Sequence, residues 1–237
     1  FEPGHDRGSG HGESRMIRTA YFEHPGYVPL VQVSWQLWRE LERATGTDLL
    51  SRTGALMLGP PGGPLIKGAL AAAAEHRLPH TVLDRAALAE RFPQHPLDPG
   101  EVGVFEPDAG VLRPEAAIRA MADAATSAGA RLATDRVVEA IEPSADGVVV
   151  QSGGRALTAG HAVVCAGAWA PQLLPQLQRL QVERQVPMWF PATNPDDYSP
   201  ARFPVFVREL ADGFVYGVPA MDGRTVKVGR HHGGVLT

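Results

Sequence analysis

The sequence has 237 residues, 44% apolar and 20% charged, with a formal net charge of −4 from 26 acids against 22 bases. That length can bury a sizeable core in one large domain or two small ones, and the composition is ordinary for a globular protein. The mild acidic balance excludes an electrostatic footprint for nucleic acid or an anionic membrane, and no apolar run approaches the roughly 18 residues of a membrane span.

In chain order, residues 1–18 are rich in Gly, His and charge, and read as a loop running into a helix near Ser14. The start is polar, has no apolar signal segment and no initiator Met, as if cut from a longer chain. Val28, Val31, Trp35, Trp38 and Leu41 recur at spacings of three and four, which predicts a helix from Tyr27 to Ala44 stopped near Gly46. Thr53–Leu58 reads as a buried strand ended by Gly59-Pro60-Pro61. Leu65–His76 reads as an alanine-rich helix, and Asp84 as the cap of a short helix that Pro93 terminates. A short strand is expected near Val102–Phe105. Pro114 suits the first turn of a helix that Gly129 closes.

Strands are then expected at Arg131–Thr134, Val137–Ile141, Val148–Gln151 and Ala162–Cys165, with tight turns at Asp146-Gly147 and Gly153-Gly154. Leu173–Leu180 reads as a short helix. From Val182 onward, aromatic and β-branched runs at 186–190, 205–207, 214–218 and 226–228 predict an antiparallel sheet. The order of elements gives an α/β or α+β fold, with a domain boundary near Val182 and a softer one near Arg52. Cys165 is the one cysteine, so no internal disulfide forms; it reads as a buried apolar filler, and the chain fits a reducing compartment such as the cytoplasm.

Three clusters could carry chemistry. In the stretch from His5 to Arg18, glycines let the backbone approach a ligand, and successive N–H groups make a nest for an anion. Ser9 and Ser14 add hydroxyls, and Arg15 and Arg18 add fixed cations that share a face if a helix starts at Ser14. A flexible terminus or an expression scar remains open on composition alone. Lys227 alternates with Val226 and Val228 and shares a face with His231. It is either an outward lysine on a half-buried strand, which strand statistics favour, or a cation on the floor of a cavity. The third cluster, Val163 to Trp169, is a strand, a small-residue turn and a helix start, where α/β folds bring backbone against a nucleotide. His5, His11, His24 and His231-His232 show no metal-ligand spacing, so no metal site is assigned. No G-x-G-x-x-G follows a strand.

Together these residues resemble the monomeric sarcosine oxidase and N-methyltryptophan oxidase family of flavoproteins. The likeness runs through His11-Gly12-Glu13-Ser14-Arg15-Met16-Ile17-Arg18, then Phe105-Glu106-Pro107-Asp108-Ala109-Gly110 and Cys165-Ala166-Gly167-Ala168-Trp169. It ends with Tyr216-Gly217-Val218-Pro219 and Lys227-Val228-Gly229-Arg230-His231. The resemblance implies FAD as cofactor and a small N-methyl amino acid as substrate. The N-methyl group would be oxidised with O2 to give H2O2, formaldehyde and the free amino acid. By resemblance, Arg18 holds the substrate carboxylate, Arg15 is a flavin-side cation, Lys227 promotes reaction with O2, and Tyr216 and His231 line the substrate pocket. His5, Gly8, Ser9, His11, Val137, Ala166, Gly167 and Trp169 fall on the cofactor side.

The family's opening glycine loop, its flavin-tethering cysteine and a second carboxylate-binding lysine have no counterpart here. The expectation is therefore an incomplete FAD-binding Rossmann-like domain (1–52 and 115–182) interleaved with an antiparallel-sheet substrate domain (53–114 and 183–237). Such a chain would bind FAD poorly and leave strands of its parallel sheet unpaired. The full-length protein would be a monomer. Two alternatives stay open: a non-catalytic remnant, or a related flavin oxidase of pipecolate, fructosyl amino acids or glycine.

Overall fold

A computed structural model describes all residues, 1–237. The chain begins with strand β1 (Arg15–Ile17), helix α1 (Val28–Thr45), strands β2 (Leu50–Arg52) and β3 (Ala55–Gly59), and helix α2 (Pro64–His76). Strand β4 (Thr81–Leu83), helix α3 (Arg85–Arg91), strands β5 (Val102–Glu106) and β6 (Gly110–Leu112), and helix α4 (Pro114–Ser127) follow. Next come strands β7 (Val138–Ser144), β8 (Gly147–Ser152) and β9 (Arg155–Ala159), the one-turn helix α5 (Ala170–Leu173) and strand β10 (Glu183–Arg184). Strands β11 (Met188–Pro191), β12 (Val205–Leu210), β13 (Gly213–Val218), β14 (Thr225–His231) and β15 (Val235–Leu236) complete the order. This is a mixed α/β fold. None of its helices is long and apolar enough to cross a membrane.

Local chemistry sets the helix ends. Gly46 stops α1 in the left-handed conformation (φ 66°), its N–H donating to the Glu42 carbonyl. The Asp84 carboxylate caps α3 by accepting from the Ala87 N–H at 2.9 Å. Pro114 opens α4, where its missing N–H is not needed.

A seven-stranded sheet in the order β11-β14-β13-β12-β3-β5-β4 dominates the molecule. All its pairings are antiparallel except β12 against β3. That parallel rung joins residues about 150 positions apart, with Val205 opposite Ala55. β3 is buried along its whole length because both faces are covered. Ala55 and Met57 pack with Leu65, Ile66 and Ala69 of α2, whereas Leu56 and Leu58 pack with Leu88 of α3, Phe92 and Phe105. Gly68 of α2 presses against the Phe22 backbone so closely that no side chain fits at that position. This contact brings the loop after β1 onto the sheet.

A three-stranded sheet, β1-β6-β2, holds that loop from the other side. A third sheet, β7-β8-β9, is a meander of two hairpins turning at Gly147 and at Gly153-Gly154.

Several sequence expectations are corrected. Arg15–Ile17 is a strand paired with Leu112–Gly110, not a helix, so Arg15 and Arg18 do not share a helical face. A spacing of three fits a helix and not a strand, and the partner that makes this segment a strand lies about a hundred residues away. Arg131–Thr134 and Ala162–Cys165 are outside any ladder, because no strand of these residues lies beside them. Leu173–Leu180 is broken into short turns at Leu174 and Pro175. Cys165 is exposed, not a buried filler.

Candidate active site

Residues Gly12 to Arg18 cross the sheet where Lys227 rises from it. In the β13–β14 register, Tyr216 faces Gly229 and Val218 faces Lys227; in the β11–β14 register, Trp189 faces Lys227. Directly opposed residues share a sheet face and side chains alternate, so Trp189, Tyr216, Lys227 and His231 stand on one face. Gly229 leaves the room that the Tyr216 ring occupies.

Lys227 is 4% exposed, against the expectation of an outward lysine. Its Nζ donates to the carbonyl oxygens of Gly12 (2.7 Å) and Ser14 (3.1 Å) and to Ser14 Oγ (3.3 Å), and lies 5.2 Å from the Trp189 ring centre. No carboxylate lies within ion-pair distance of it. Burial, reinforced by repulsion from Arg15, lowers its pKa from 10.5 to about 8.

Arg15 is tied to the same loop, donating to the Ser14 carbonyl (2.8 Å) and to the Ser9 carbonyl. Gly12 makes this convergence possible. It sits at φ 98°, and a β-carbon there would lie 3.4 Å from Lys227 Nζ and 3.6 Å from an Arg15 nitrogen. Glu115, in the first turn of α4, holds the loop from behind, accepting from the N–H groups of Gly12 (2.6 Å) and Glu13 (3.0 Å). Those hydrogen bonds outweigh its burial and keep its pKa below the usual value.

Arg18 forms a second centre. It is 8% exposed, its Nη2 donates to Glu23 (3.1 Å), and its guanidinium lies over the rings of Tyr21 (4.7 Å) and Phe22 (5.1 Å). Its Nη1 is buried without a hydrogen-bond partner. His231 Nε2 lies 3.8 Å from the same Glu23 carboxylate, and burial lowers the His231 pKa. A cavity of about 210 Å3 opens beside both arginines, with Tyr21, Val31, Trp38 and Leu112 among its walls.

The cofactor-side residues divide. Gly8 lies beside both His5 and Trp169, since a β-carbon on it would be 3.5 Å from the first ring and 3.6 Å from the second, and Phe1 stacks obliquely with both rings. The Ser9 carbonyl receives Arg15, and His11 Nδ1 lies 2.5 Å from the Gly8 carbonyl. Gly167 (φ 52°) opens the turn that presents Trp169, with half-buried Ala166 just before it. Val137 stands apart, exposed ahead of β7.

Sequence reasoning passed over Glu23, Glu115 and Trp189 as site residues, and took Glu106 only as part of a motif. Glu106 had a legible signal: a lone acid ending the apolar strand Val102-Gly103-Val104-Phe105. The others depend on partners distant in sequence.

The donor set suits an anionic group. Two fixed cations converge at a glycine cradle, one arginine nitrogen is left unpaired, and aromatic rings stand nearby. The chain is 41% identical over 226 residues to a monomeric sarcosine oxidase of Streptomyces avermitilis, covering 94% of this chain and 59% of that protein. It is 37% identical over 236 residues to an N-methyl-L-tryptophan oxidase of Yersinia pestis, covering 99% and 62%. In three dimensions it matches the open form of NikD, an amino acid oxidase of nikkomycin biosynthesis, with a TM-score of 0.78 at 22% identity, covering 100% of this chain and 62% of that one. The chain thus spans about three fifths of the length of these relatives. The sequence pattern of the FAD-dependent oxidoreductases matches residues 1–235, and the chain belongs to that FAD-using family.

Proposed function

We propose that the chain is part of an FAD-dependent oxidase that oxidises the N-methyl group of a small amino acid, of the sarcosine or N-methyltryptophan type. The observation that carries the reading is the buried Lys227, held only by carbonyl and hydroxyl oxygens, within reach of a loop that also holds Arg15. Bound FAD would supply a two-electron acceptor: the amine would lose a hydride from its methyl carbon and a proton from nitrogen to become an imine, and the two electrons and two protons would leave with O2 as H2O2. Water then converts the imine into formaldehyde and the free amino acid.

Each residue has a role in this reading. Arg18 binds the substrate carboxylate through Nη1, its unpaired donor, while Glu23 keeps Nη2 in place. Tyr216, Trp189 and His231, which share the Lys227 face of the sheet, would wall the substrate pocket. His5, Gly8, Ser9, His11 and the turn Ala166–Trp169 hold the cofactor with Arg15; Val137 belongs to that side as well. Lys227 keeps a positive charge fixed where negative charge develops as O2 is reduced, which lowers the cost of that step. Residues 1–52 and 115–182 form the cofactor side, and 53–114 with 183–237 the substrate side. A monomer in a reducing compartment completes the reading, supported by a single cysteine.

The test is reconstitution of the full-length protein with FAD followed by anaerobic addition of sarcosine or N-methyl-L-tryptophan. The flavin band bleaches, and air restores it with release of H2O2 and formaldehyde. Failure of every N-methyl amino acid to bleach bound flavin overturns the reading.

A further inference from the structure

Glu106, the last residue of β5, is 0% exposed. Its carboxylate accepts from the Thr19 N–H (3.1 Å), the Thr19 hydroxyl (2.7 Å) and the Ala20 N–H (2.6 Å). All three donors belong to the two residues that follow Arg18. The residue before Arg18, Ile17, is paired in the ladder with Gly110. Glu106 and Gly110 are the two ends of one β5–β6 turn, so a single turn grips the backbone on both sides of Arg18.

Burial raises the Glu106 pKa above the usual carboxylate value, and the donors from Thr19 and Ala20 together with the nearby Arg18 cation offset only part of that cost, which couples Glu106 to Arg18 through space as well as through the backbone. The Arg18 guanidinium has Glu23 as its one hydrogen-bonded carboxylate, and its Nη1 has no partner. Without Glu106, residues 19 and 20 would lose three anchors, two backbone N–H groups and the Thr19 hydroxyl, and the buried guanidinium would be left to Glu23 alone. Nη1 would then move, and Glu23 would compete more strongly with an incoming carboxylate.

We propose that Glu106 is the positioning residue for Arg18, and that through Arg18 it sets the preference of the site for substrates with a free carboxylate. This rests on the amino-acid reading above.

The test compares sarcosine and N-methyl-L-tryptophan with their methyl esters, which keep the amine and lose the carboxylate charge, in the FAD-loaded full-length protein. In Glu106→Gln, KM for the acids rises roughly ten- to a hundredfold, while KM for the esters and kcat for both change by only about a factor of two. Thr19→Val removes one donor to Glu106 and gives the same split at smaller size. Leu88→Ala, a cavity on the opposite face of the sheet, lowers the thermal midpoint and leaves the acid-to-ester ratio alone. The role is overturned if acid and ester KM rise together in Glu106→Gln, or if Leu88→Ala reproduces the split. Should Glu106→Gln fail to fold, Thr19→Val decides, and an unchanged acid-to-ester ratio there overturns the role. A wild-type protein that oxidises acid and ester equally well overturns the amino-acid reading first, and this role with it.

Discussion

Strands β3 and β8 are both short and apolar, and their surroundings differ sharply. All five residues of β3 are buried, while β8 buries Ser152 alone. Ser152 is in fact the single buried residue between 121 and 202. β3 has a helix on each face and strands on each edge; β8 has hairpin neighbours and no helix packed over it. A hairpin forms from its own turn chemistry, whereas a core needs partners distant in sequence. The two regions therefore draw their stability from different sources, and the titratable groups follow the same division. His95, Glu106 and Lys227 are all buried among the sheet residues, and no ionisable side chain is buried between 121 and 202.

The largest expected effect separates the two regions directly. Met57→Ala should cost about 2–5 kcal/mol in denaturant unfolding, and Leu157→Ala, at a position 63% exposed, about 0.5 kcal/mol or less. A comparable cost at Leu157 would break the comparison, because the meander would then have a covering that this chain does not supply. Next in size, Lys227→Met should slow re-oxidation of reduced enzyme by about a hundredfold, read by stopped-flow mixing with O2. In the wild type that rate should fall as pH rises through about 8, where Lys227 loses its proton, and the variant should lack this limb.

His95 sharpens the sheet side further. It stacks on Phe203 at 4.5 Å, its Nε2 is buried without a partner, and burial with the nearby Arg208 cation lowers its pKa to about 4. Above pH 6.5 neither folded nor unfolded chain protonates it. As pH falls from 6.5 towards 4, the unfolded chain takes a proton that the folded form refuses, so stability drops. His95→Phe should remove about 1–2 kcal/mol of that acid-side loss, measured by unfolding at pH 7 and pH 5. The smallest effect belongs to Glu115. Its lowered pKa contributes stability that is present above its ordinary value of 4.5 and lost as pH falls through the folded value. Glu115→Gln should flatten this loss by less than about 1 kcal/mol, because the group is half-exposed.

Much of this architecture was readable locally. The Gly46 stop, the Asp84 cap and the Pro114 start lie within a few residues of what they control, and the structure keeps all three. β1 was misread because its identity rests on Leu112–Gly110, which no local period reveals. At the site, the cations Arg15, Arg18 and Lys227 were visible as residue types. Their surroundings were not: an alternating strand pattern cannot show that the polar face of β14 is roofed by Gly12 and Ser14, more than 200 residues earlier. Cys165 erred in the opposite sense, because an apolar run signals burial only where a neighbour exists to bury it.

The parallel rung between β3 and β12 also has a consequence in time. A ribosome adding about 5–20 residues per second needs about 8–30 seconds to travel from Ala55 to Val205. Once Glu106 has emerged, β3 is covered by α2, α3 and β5 and open along one edge. The nascent chain thus carries an apolar strand edge while about a hundred further residues are added, and that edge is open to non-native pairing until β12 emerges.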